Sequence, residues 1–96
     1  MSTVRSDEPP RLRLRLYVAG NGPNSLSAVA NARAICEEHF AAAHELEIVD
    51  LLLHPERAAT DGIIVTPTLL KLAPSPVQRL VGSLGDARQL LRTLAG

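Results

Sequence analysis

One thiol, three imidazoles, a serine beside a glycine-proline turn and a threonine-proline dipeptide are the groups on which chemistry could be built. A thiol-redox centre needs a low-pKa thiolate at a helix N-terminus. Cys36 instead falls on an apolar stripe beside Phe40, where a thiol packs. A single cysteine excludes an intramolecular disulfide, a C-x-x-C pair and an all-cysteine metal cage. It favours a reducing, cytoplasmic location. His39, His44 and His54 are scattered, and a spacing of five between the first two does not suit one helical face. Ser25, in Asn21-Gly22-Pro23-Asn24-Ser25, has no basic neighbour to activate it and reads as a helix cap. The amides of that helix start could bind an anion, which leaves a glutathione-binding or thioredoxin-like enzyme as the alternative reading. No glycine-rich phosphate loop or zinc spacing occurs. The residues therefore predict no enzyme, no catalytic or metal site and no cofactor.

The chain has 96 residues, 46% of them hydrophobic, which supports one small domain. Ten basic residues balance ten acidic ones at a pI near 6.8, so no overall field draws in nucleic acid or an anionic membrane. Tyr17 and Phe40 are the only aromatics, too few for a base-stacking platform. Charge is nonetheless segregated: residues 1–16 carry +2, residues 37–61 carry −6 and residues 71–92 carry +3. That polarity suits head-to-tail or heterotypic protein contacts, but a solvated surface is the preferred reading. No apolar run approaches the ~20 residues of a membrane span, and the N-terminus lacks the apolar stretch of a signal peptide.

Residues 1–10 are polar, end in Pro9-Pro10 and read as a disordered lead-in to a single domain over 11–96. Arg11–Val18 alternates strictly, with Leu12, Leu14 and Leu16 on one face and Arg11, Arg13 and Arg15 on the other, which predicts a strand. A helix capped by Asn24 or Ser25 follows, with Leu26, Val29, Ala32, Ile35, Cys36 and Phe40 as its apolar stripe. His39 and His44 fall at its end. Leu46–Leu51 predicts a second strand, parallel to the first through a right-handed crossover. His54-Pro55 opens a short helix over Glu56–Asp61 that stops at Gly62. Thr68–Leu72 and Val77–Val81 flank a proline-rich turn as a hairpin. A last helix begins near Ser83, with Ser83-Leu84-Gly85-Asp86 at capping-box spacing and Leu84, Ala87, Leu90, Leu91 and Leu94 as its apolar face. This β-α-β-α-β-β-α order, an α/β fold with a four-stranded mixed sheet, is thioredoxin-like. Thr66-Pro67 enters the third strand as a candidate cis peptide.

Leu16-Tyr17-Val18-Ala19-Gly20-Asn21 followed by Pro23-Asn24-Ser25 resembles the signature LYVAGNTPNS of the KaiB family of circadian clock proteins. Ile48-Val49-Asp50, His54-Pro55, Ile63–Leu69 (for the family's ILATPTL), Lys71, Pro74, Pro76-Val77 and Val81-Gly82 continue the resemblance in order over about residues 12–92. It implies a non-enzymatic, metamorphic regulator that binds KaiC-type RecA-like ATPases, competes with a sensor histidine kinase and sequesters another clock protein. Relatives outside cyanobacteria are associated with stress responses. The resemblance implies a constant N-terminal half and a C-terminal half that is either thioredoxin-like, as a monomer, or rearranged, as a tetramer.

Departures from the family pattern refine this. Leu90-Leu91-Arg92-Thr93-Leu94-Ala95 replaces a segment with an internal glycine and aspartate, which costs a helix roughly 1 kcal/mol at the glycine. Thr93 and Ala95 therefore favour the thioredoxin-like monomer over a tetramer or dimer, Pro67 and Gly82 are the further fold-switch or structural positions, and the end at Gly96 omits the family's acidic tail. A family lysine is Gly62 here and a family arginine is Ser27, so the partner is expected to be a diverged one. Tyr17, Asn21, Lys71 and Arg79 are the expected partner-contacting residues, Tyr17 being equally suited to fill the core. A kinase sensory domain cut from a longer chain is a further alternative, against which the Met1–Gly96 architecture predicts a free-standing protein.

Overall fold

The computed structural model describes residues 12–95. The expected lead-in, Arg11 and Gly96 lie outside the described residues. Strict alternation places Leu12, Leu14 and Leu16 inside strand β1 (Leu12–Val18), each almost wholly buried. Helix α1 (Pro23–His39) returns the chain to β2 (His44–Asp50), which pairs parallel with β1, Leu12 beside His44 and Val18 beside Asp50. Helix α2 (Glu56–Asp61) follows, and Gly62 ends it in the left-handed region at φ 71°. Strands β3 (Thr68–Ala73) and β4 (Gln78–Val81) form the antiparallel hairpin, and α3 (Ala87–Ala95) closes the domain. The sheet order is β2-β1-β3-β4, a mixed four-stranded sheet as expected. Thr66-Pro67 is cis, as are Ala73-Pro74 and Ser75-Pro76 in the hairpin turn.

Two apolar layers flank the sheet. The larger gathers Leu12, Leu14, Leu16 and Leu69 with Ala28, Ala32 and Ile35 of α1 and Leu90 and Leu94 of α3. The smaller joins Tyr17, Val49, Ile63 and Leu70 on the opposite face.

Several boundaries differ from the sequence reading. Gly22 precedes α1 in extended conformation without a side-chain cap, so neither Asn24 nor Ser25 caps it. Pro23 supplies the start instead, its fixed φ already helical and its missing N–H no loss there. The buried stripe of α1 is Ser25, Ala28, Ala32, Ile35 and Cys36, while Leu26 is exposed. Small side chains let the helix approach the sheet closely, which turns the larger Leu26 outward. The second strand begins at His44 rather than Leu46 because Leu12 and Arg13 continue to pair with His44 and Glu45. In α3 the cap is Asp86, whose Oδ1 accepts the Gln89 N–H at 3.0 Å. Ser83 lies in the preceding loop, and Ala87 is exposed rather than on the apolar face.

Candidate functional site

The carboxyl ends of parallel strands are where α/β sheets usually present function. Here β1 delivers the turn Ala19–Gly22 and the start of α1. The Gly20 N–H donates to Asp50 Oδ1 at 3.1 Å, and the same oxygen accepts the Leu52 N–H at 2.9 Å. Gly20 adopts φ 73°, and a Cβ there would stand 2.9 Å from Leu52 Cδ1. The left-handed φ is what requires glycine, since the exposed Leu52 side chain can turn aside from a Cβ. The turn before β3, with Pro67, lies alongside because Thr68 pairs with Tyr17. In a thiol-redox protein of this topology a reactive cysteine would sit at this helix start. Cys36 is instead buried near the far end of α1, where desolvation, helped by the Glu37 charge, pushes its thiol up to about 11. Such a thiol is a packing group, not a nucleophile.

The residues named from sequence divide by location. Asn21 and Arg79 are exposed; the Arg79 guanidinium donates to the Gly62 carbonyl at 3.2 Å and so ties β4 to the end of α2. Tyr17 and Lys71 are enclosed in opposite layers. The Tyr17 hydroxyl donates to Asp61 Oδ2 at 2.6 Å and accepts from Arg15 at 3.4 Å. Arg57 Nε reaches the same Asp61 oxygen at 3.1 Å. Arg15 also bonds Glu47 at 2.7 Å, and Arg13 bonds Glu45 at 3.1 Å. The arginine stripe of β1 is thus paired with β2 acids across the in-register parallel ladder. This network fastens α2 to the sheet and was not legible from sequence, since Tyr17 and Asp61 stand 44 positions apart. Of the fold-related positions, Gly82 adopts φ 110°, Pro67 is buried, Thr93 is half-buried and Ala95 ends α3.

His44 Nδ1 lies 2.8 Å from the Phe40 carbonyl, while His39 is exposed. At this opposite end a shallow groove of about 340 Å³ runs between Leu12, Phe40, Pro74 and Leu94, with His39 its one titratable lining group. Among the described residues no cluster of three metal-ligating side chains occurs, and no helix is long and apolar enough to cross a membrane.

Tyr17 offers a direct test, being the only tyrosine in a chain without tryptophan. Burial raises its pKa first, the bond to Asp61 adds to this, and Arg15 opposes both. The Asp61 carboxyl is held below its ordinary value, chiefly by the Tyr17 hydroxyl and then by Arg57. A raised phenol contributes stability that is complete below the unfolded value near 10 and lost as pH rises through the folded one. A lowered carboxyl contributes stability present above about 4 and lost as pH falls. Tyrosinate absorbance is therefore expected only above the ordinary tyrosine range, together with unfolding, and Asp61→Asn moves it downward. An ordinary titration with the fold intact would contradict the network.

With this geometry in place, the chain can be set beside known proteins. The KaiB domain profile matches residues 15–95. The circadian clock oscillator protein KaiB of Prochlorococcus marinus is 45% identical over 78 residues, 81% of this chain, which spans 66% of that protein's length. The circadian clock protein KaiB3 of Synechocystis is 42% identical over 81 residues, 84% of this chain and 79% of that one. Among solved structures, the N-terminal domain of Synechococcus elongatus SasA superposes with a TM-score of 0.73 at 25% identity, covering 98% of this chain and 89% of that one. Fasciola hepatica thioredoxin gives 0.72 at 19% identity over 91% and 81%. The last comparison bears on the fold alone.

Proposed function

The chain belongs to the KaiB family, and from that premise we propose that it is a non-catalytic cytoplasmic regulator that binds a KaiC-type RecA-like ATPase in a circadian clock or a related stress-timing system. The carrying observation is the family match over 15–95 on a thioredoxin-like scaffold whose only cysteine is buried away from the helix start. Partner contacts would come from the C-terminal half and the α1 edge. Asn21 and Arg79 reach them directly, while Tyr17 and Lys71, enclosed, act by holding the surface in shape. A sensor histidine kinase or another clock protein is the further partner this reading supports, with no role for nucleic acid, membrane or cofactor. In dilute solution the thioredoxin-like form is a monomer, and the C-terminal half is the part able to rearrange. Gly62 and Ser27 lack the family's basic side chains, so the fitting ATPase is a diverged one.

Co-sedimentation of the purified chain with a purified KaiC-type ATPase, in ATP and in ADP, tests this. A complex that Asn21→Ala plus Arg79→Ala weakens several-fold is expected, with no disulfide-reductase turnover. Turnover without complex formation would overturn the reading in favour of a thiol or glutathione protein. A stable tetramer in dilute solution, or non-helical chemical shifts over Leu84–Leu94 in the major species, would contradict the fold assignment.

A further inference from the structure

Lys71 is the only lysine of the chain; its other cationic side chains, histidines aside, are arginines. It is 1% exposed, and among the described residues its Nζ has no hydrogen-bond partner. Strand β3 is interior to the sheet, with Lys71 laddered to Leu14 of β1 on one side and to Gln78 of β4 on the other. The Lys71 side chain shares the face of Leu14 and Leu69, the layer that Leu90 and Leu94 of α3 complete. Helix α1 bridges β1 and β2, so the cover over β3 and β4 falls chiefly to α3. That helix has nine residues, too few to persist without the layer beneath it. The amine is thus shielded by a weakly supported helix, while its own strand is bonded along both edges.

We infer that Lys71 is a cryptic acylation site, reached by a small acyl phosphate when α3 lifts from the sheet. A transferase that reads an extended peptide would have to strip β3 from both neighbours, which a small donor avoids. With α3 displaced, the ammonium gives a proton to water and the neutral amine attacks the acyl carbon. The N–C bond forms, the C–O bond to phosphate breaks, and phosphate leaves with that electron pair while the nitrogen passes a second proton to water. The product is a neutral amide, longer than lysine by the acyl group. Its return would overpack a close-packed apolar layer and strand the amide N–H and carbonyl without partners. Acylation therefore holds α3 away from the sheet. The site uses only residues of this chain and stands or falls independently of any ATPase partner.

Incubation of the folded full chain with acetyl phosphate tests it, read by mass spectrometry on the peptide that carries Lys71, with Nα-acetyl-lysine in the same solution as the exposed reference. Lys71 is expected to acylate at least about a hundredfold more slowly than the reference, because only the open fraction reacts. Leu90→Ala should speed it at least about tenfold, and the milder Leu91→Ala should act in the same direction, with circular dichroism confirming each fold. Ile63→Ala, in the layer on the opposite face, should leave the rate within about twofold. The acetylated chain should exchange its amides over residues 87–95 faster than the unmodified chain, with β1 unchanged. Acylation as fast as the reference, or none in the wild-type chain, overturns the inference. Equal acceleration by Ile63→Ala makes global unfolding the route and overturns it, as does an acetylated chain whose α3 exchange is unaltered.

Discussion

Replacing Lys71 by methionine is expected to stabilise the protein by about 1–4 kcal/mol. Lys71 stands in the third strand opposite Leu14, which turns it toward the layer covered by α1 and α3. It is only 1% exposed, and its Nζ has no hydrogen-bond partner among the described residues. Placing an ammonium in an apolar layer costs several kcal/mol unless charge or hydrogen bonds compensate. Methionine keeps the length of the side chain, fills irregular space readily and removes the desolvation cost. For a domain of this size each kcal/mol raises Tm by roughly 4–8 °C. Chemical denaturation should show a higher midpoint at unchanged slope. A lower midpoint would mean that Lys71 is satisfied in solution by something that outweighs burial. Lys71→Ala separates the two cases: it removes the charge but leaves a cavity, so its gain should be smaller than that of methionine.

Lys71 also marks where sequence reading gives out. Alternation in Leu12–Val18, the break at Gly62 and the proline turn between two β runs are local signals, and each produced an element in the right place. In Thr68-Leu69-Leu70-Lys71, by contrast, a charged residue reads as facing water, and its enclosure depends on helices contributed by distant segments. Helix α1 shows a related effect. Its contact face is chosen by small residues that permit close approach, so a reading weighted by hydrophobicity favoured Leu26 over Ser25 and Ala28. At α3 Asp86, read as the far member of a capping box begun at Ser83, is itself the cap, and the loop before it bends through a left-handed Leu84. The candidate site divides in the same way. The absence of a redox pair at the helix start follows directly from composition, whereas the Tyr17–Asp61 bond depends on which strand and helix ends the topology brings together.

The second large effect is expected at Leu90. Alanine there should cost about 2–5 kcal/mol and act first on α3. That helix has nine residues, below the length at which an isolated helix persists in water. It is held by burial of Leu84, Leu90 and Leu94, with Leu91 packed at the margin. Its entry is costly: Leu84 sits at φ 62°, a region that charges a branched side chain roughly 1–2 kcal/mol. One side-chain bond, Asn31 Nδ2 donating to the Ser83 carbonyl at 2.9 Å, ties that entry to α1. The sheet beneath is joined by backbone ladders on both sides of β1, so it does not depend on α3 for its own pairing. A loss of this size approaches the whole stability of a small domain, yet its first consequence falls on the element with the fewest other supports. Amide exchange over residues 87–95 should therefore accelerate far more in Leu90→Ala than exchange in β1 and β3. Leu91→Ala, at the margin of the same face, should accelerate it less. Equal acceleration across helix and sheet would show instead that α3 and the sheet open as one unit, and that the strained entry at Leu84 is not where the domain yields.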